Sequence, residues 1–140
     1  MRNLLSVKQS GRLNDLGLLL LRVSLSAFML THGLPKLTRL LEGNAEGFPD
    51  PLGVGNTMSL VLAVIGEVLA PLMIIPGIMT RLATIPVLSA MFVAAFIVHA
   101  GDPFGSREMA LLYLTGFLAV LIFGPGKYSA DQLIRGKQTL

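Results

Sequence analysis

Residues 57–75 read TMSLVLAVIGEVLAPLMII, a run in which Glu67 is the one charged side chain. A membrane-spanning helix needs about 17–25 mainly apolar residues, so this run is long enough to cross a bilayer. A charge at that depth costs about 2.5–3.5 kcal/mol on insertion scales, and such a group usually faces the bundle interior with a partner or a task. Three further stretches have the same character: residues 16–33, which enclose Arg22, residues 81–99, and residues 109–123, the last short enough to need flanking residues. Together they predict an all-α, polytopic membrane protein, a four-transmembrane-helix bundle. The expected organisation is a polar lead over residues 1–15, a membrane domain over 16–133 and a polar tail over 134–140.

Composition points the same way. Of the 140 residues, 53% are hydrophobic, and the mean hydropathy of +0.72 is too apolar for an ordinary soluble domain. Arg2, Lys8 and Arg12 ahead of a leucine run have some character of a secretory leader. Arg22 would interrupt its apolar region, however, and Ala27, Phe28, Met29 and Leu30 carry the hydrophobic pattern onward, so a retained helix is expected. The net charge of +3 comes from basic residues sorted by topology rather than gathered on an aromatic-laced face, which argues against nucleic acid. Arg2, Lys8, Arg12, Arg81, Lys127, Arg135 and Lys137 fall on one side of the predicted bundle, and Lys36, Arg39 and Arg107 on the other. That bias places both termini in the cytoplasm. The chain has no cysteine, which removes disulfides, thiolate metal sites and a thiol relay. If redox chemistry occurs here, something else carries the electrons.

The connections carry their own signals. Asn14 or Asp15 is expected to cap the first helix, and His32-Gly33-Leu34-Pro35-Lys36 to end or bend it, since proline lacks an amide proton and disfavours helical geometry at the residue before it. Residues 37–56 hold Gly43, Gly47, Pro49, Pro51, Gly53 and Gly55, a loop long enough to be a cover over the outer mouth or a mobile segment. Pro71, four residues after Glu67, removes the amide that would bond the Glu67 carbonyl. Gly66 and Ala70 are small residues that let two helices approach, and the tight link over residues 76–80 makes the second and third helices antiparallel neighbours.

Two constellations follow. Counting 1.5 Å per residue from the cytoplasmic ends, Arg22 lies roughly 9 Å deep and Glu67 roughly 12 Å deep. The expectation is therefore a buried Arg22–Glu67 pair, either structural or built around a proton-accepting carboxylate. At the opposite face His32, Lys36, His99 and Glu108 are expected to gather as an outer polar cluster, with Tyr113 below them. Imidazole titrates near neutrality and often ligates metals, but no two ligands here stand at a recognised short metal spacing, and no metal is assigned.

His32-Gly33 with Lys36, Glu67, Thr80-Arg81, His99, Glu108 with Leu112-Tyr113, and Gly124-Pro125-Gly126-Lys127-Tyr128-Ser129 with Asp131 together resemble the DoxX family over nearly the whole chain. The resemblance implies a small four-helix integral protein of a prokaryotic cytoplasmic membrane, in a family linked to oxidoreductase systems, thiosulfate:quinone oxidoreductase among them, and to redox-stress complexes. The implied function is an integral membrane subunit of such a system, itself an accessory rather than a catalyst, with a quinone as the candidate redox molecule. Its implied partners are the lipid bilayer and an oxidoreductase subunit. Two alternatives stand beside it: a small-solute or proton-coupled transporter, which with four spans would need a homo-oligomer, and a membrane scaffold or assembly protein.

Overall fold

A computed structural model describes residues 11–138. The first ten residues of the expected lead, with Arg2 and Lys8, and the last two of the tail lie outside the described residues. The first span is α1, Gly11–Leu41. The second is α2, Asn56–Val64, continued by a π-helical turn, Ile65–Leu69, into α3, Ala70–Ile74. The third is α4, Thr80–Val93, ending in a second π turn, Ala94–Val98. The fourth is α5, Phe104–Phe123, and α6, Ala130–Gln138, follows it. Among the described residues these make four helices long and apolar enough to cross a membrane.

α1 packs on the second span and on α5, while α4 lies between the second span and α5. Met29, Ile74, Val87 and Phe117 are buried at the centre. Phe28, Leu62, Ile85, Leu112 and Ile122 point outward. So much exposed apolar surface is tolerable where the surroundings are lipid tails rather than water.

The first helix does not end at Pro35. It runs on to Leu41, because the carbonyl that Pro35 cannot bond belongs to Thr31 on the exposed face, and the Thr38 hydroxyl donates to the Leu34 carbonyl at 3.2 Å. Asp15 does not cap α1 either: it lies within the helix and accepts from the Lys127 amide at 3.0 Å. The fourth span gains its missing length at its N-terminal end, starting at Phe104, so Glu108 stands inside α5 rather than opening it. The boundary expected between membrane domain and tail falls inside α6.

Each π turn accommodates one extra residue. The Ala70 amide donates five residues back to Ile65, and the His99 amide to Ala94 at 3.1 Å. Pro71 follows the first of these turns directly, as the second residue of α3.

Two glycines set the helix spacing. A Cβ on Gly33 would collide with the Glu67 carbonyl oxygen and lie 2.7 Å from Val68 Cγ2. One on Gly66 would lie 2.8 Å from the Pro86 carbonyl oxygen and 2.9 Å from Ala90 Cβ. Gly33→Ala is therefore expected to lower stability by about 1–3 kcal/mol, as overpacking does. Gly17→Ala, in the same helix with nothing within 4 Å, should be neutral or stabilising by about 0.5–1 kcal/mol. Thermal unfolding in detergent, followed by circular dichroism, compares the two.

Candidate functional site

The closeness that Gly33 permits brings Lys36, one turn later on α1, onto the second span. Its Nζ lies 2.5 Å from both Glu67 Oε1 and Oε2. The Glu67 side chain is 6% exposed and that of Lys36 31%. The partner of Glu67 is thus Lys36, and the expected Arg22–Glu67 pair does not form. The buried stripe of α1 runs Arg22, Ser26, Met29, Gly33, which puts Arg22 eleven residues, about 16 Å, below the crossing. Because α1 starts lower than residue 16, Arg22 comes out level with the end of the second span rather than with its middle.

Lys36 and Glu67 line a cavity of about 470 Å³ between the second and third spans. Leu62, Ala63, Ile65, Val93 and Val98 form its apolar walls, Ser59, Ser89 and His99 add polar atoms, and Phe48, Pro49, Pro51 and Leu52 cover it. Both π turns border it. The covering loop is a built structure. Asp50 accepts from the amides of Val54 and Gly55 and from the Ser59 hydroxyl, at 2.9, 2.8 and 2.7 Å. The Ser59 hydroxyl first, then the Gly55 amide, hold the Asp50 carboxyl below its ordinary pKa. The Arg39 guanidinium sits over the Phe48 ring, 5.6 Å from its centroid, and donates to the Asn44 and Glu46 carbonyls.

The outer polar cluster is not one site. Lys36 has joined Glu67. His32 meets the buried Tyr113 edge-on, with ring centroids 5.7 Å apart, and neither lines the cavity. His99 does, and its Nδ1 lies 2.7 Å from Asp102 Oδ2. Glu108 is exposed and joins none of them. Asp102 was missed by sequence reasoning; its signal was its place three residues after His99 in a tight turn. Among the described residues no three His, Cys, Asp or Glu side chains gather as a metal site would require.

At the other end of the bundle Arg22, 2% exposed, donates to the carbonyls of Ile75, Pro125 and Tyr128. It closes the C-terminal ends of the second and fourth spans. Ala130 and Asp131 donate their amides to the Pro76 and Gly77 carbonyls at 3.0 and 2.9 Å. In return Asp131 accepts from the Met79 amide at 2.7 Å and from the Thr80 amide and hydroxyl at 2.9 Å, supplying the missing cap of α4. Burial pushes the Asp131 carboxyl up, but the Thr80 and Met79 donors and the nearby Arg135 outweigh it and leave it below the ordinary 3.8.

A double exchange, Arg22→Glu with Glu67→Arg, should rescue nothing, because glutamate at position 22 would face three carbonyls. Arg22→Met alone should lower stability by about 3 kcal/mol or more, both read by thermal unfolding. Since the folded-state pKa of Asp131 is depressed, its contribution is fully present above pH 3.8 and is lost as pH falls through the lower folded value. Asp131→Asn should remove that acid-side slope from stability measured against pH.

Residues 17–100 match the family described as DoxX. The chain is 29% identical over 130 residues to the inner membrane protein YqjF of Escherichia coli (strain K12), an alignment covering 90% of this chain and 98% of that protein. No solved structure matches the chain. With four spanning helices and a family match over more than half its length, this chain is a multi-pass membrane protein, homologous to an inner membrane protein, and belongs to the DoxX family.

Proposed function

We propose that this protein is an accessory membrane subunit that holds a quinone-class molecule in the Lys36–Glu67 cavity and serves an oxidoreductase. The observation that carries the reading is an ion pair, 2.5 Å long, set in the wall of a largely apolar cavity at the side of the spans. The volume of about 470 Å³ suits a small-molecule site, which is typically apolar with a few placed polar groups. The chemistry of the donors fits as well: Lys36 donates to a ring carbonyl, Glu67 accepts from a ring hydroxyl, and the outward-facing Leu62, Ile65 and Val98 leave a prenyl tail a route into the bilayer. When bound, a quinone supplies two-electron, two-proton redox chemistry inside the membrane.

The chain's own residues hold the ring and handle protons. Lys36, partly exposed, and the buried Glu67 form the inner proton-holding pair. His99, with Asp102 on its Nδ1, is the outer group that exchanges a proton with water beyond the span. The termini end, richer in basic residues, is placed on the cytoplasmic side, so the cavity mouth faces the other way. The chain has no cysteine, and a partner enzyme delivers the electrons.

The test is extraction and chromatographic assay of quinone from protein purified in native-lipid nanodiscs, with titration of a short-chain quinone into the delipidated protein. Wild type should retain close to one quinone per cavity. Glu67→Gln should weaken binding on the order of tenfold or more, and Ser89→Phe, which fills the cavity from the exposed face of α4, should abolish it. A wild-type protein that carries no quinone and binds none in titration overturns the reading.

A further inference from the structure

A second cleft, of about 850 Å³, lies at the termini end of the bundle, far from the Lys36–Glu67 cavity. Three cations line it from three elements: Arg81 on the first turn of α4, Lys127 in the link after α5, and Arg135 on α6. Two carboxylates line it too, Asp15 and Asp131, but both are engaged by backbone amides, of Lys127 and of Met79 and Thr80 respectively. The Arg81 guanidinium gives one long bond, 3.4 Å, to the Ile122 carbonyl, and guanidinium has five N–H donors. It lies beside Gly124, where a side chain's Cβ would come within 3.3 Å of Nη2. Lys127 is exposed and forms no ion pair among the described residues. Arg135 lies near the Asp131 carboxylate, so the cations the cleft offers a ligand are Arg81 and Lys127.

Its apolar part fixes the ligand class further. Leu82, Phe123 and Ile134 line the same cleft and face outward, 56%, 69% and 56% exposed. Phe123 is the last residue of α5 and Leu82 lies in the first turn of α4, so cations and apolar side chains meet where the spans leave the hydrocarbon. A soluble anion would have no use for the apolar rim, whereas a phospholipid needs both. We propose that this cleft binds an anionic phospholipid, its phosphate between Arg81 and Lys127 and an acyl chain along Leu82, Phe123 and Ile134. Basic clefts between helices at the membrane surface are a recurrent form of headgroup site, and the lipid would join α4, α5 and α6 from outside.

The test is native mass spectrometry of the delipidated full chain, titrated separately with phosphatidylglycerol, phosphatidylcholine and inorganic phosphate, with the thermal midpoint as a second readout. Phosphatidylglycerol should bind at one molecule per chain, at least about tenfold more tightly than phosphatidylcholine, and raise the midpoint. Arg81→Gln with Lys127→Gln should erase that preference, while Arg81→Lys with Lys127→Arg should keep most of it and guards against a folding defect. Arg12→Gln, exposed on the same end of the bundle but outside the cleft, should change nothing. Equal binding of the two lipids, or a loss with Arg12→Gln as large as with the double variant, overturns the proposal. Inorganic phosphate displacing phosphatidylglycerol at equal concentration would assign the cleft to a soluble anion and overturn the lipid.

Discussion

The first helix crosses the second at Gly33, and there its backbone meets the Glu67 carbonyl so closely that no side chain fits between them. This contact fixes the rest of the upper bundle. With the axes so close, Lys36 reaches the Glu67 carboxylate across one turn. The π turn over Ile65–Leu69 sets where Glu67 faces relative to the helix that follows. A carboxylate that would be costly alone in hydrocarbon is thereby paired in the wall of a cavity, where a ligand can reach it.

Arg22 does different work on the same face of α1. A guanidinium satisfies several carbonyls at once, and the carbonyls of Ile75, Pro125 and Tyr128 are those left over where spans end. Asp131 completes the complementary task, taking the free amides at the start of α4. One end of the bundle is locked by side chains bonded to backbone, and the other holds a cavity under an ordered loop. The backbone-locking side chains and the Lys36–Glu67 cavity thus lie at opposite ends.

The four spans were legible in the sequence because length and hydropathy alone determine them. The individual charges at Arg22 and Glu67 were legible as well, but not their partners. Arg22 bonds carbonyls, which leave no mark in a sequence. Lys36 was assigned to the outer mouth because Gly33 and Pro35 read as a helix end, whereas the exposed Thr31 and the Thr38 hydroxyl let the helix continue. A π turn changes the facing of a helix by a single residue, too little for hydrophobic periodicity to reveal. His32 and Tyr113 meet edge-on, yet they lie outside the cavity.

Glu67 pairs with Lys36 and not with Arg22. Solid-state NMR on bilayer-embedded protein labelled with 15N at lysine Nζ and 13C at glutamate Cδ measures this pairing directly. Strong dipolar dephasing is expected for one lysine–glutamate pair, at roughly 3–4 Å; it disappears in Lys36→Met and persists in Arg22→Met. Absence of that signal in the wild type, or its survival in Lys36→Met, would contradict the pairing.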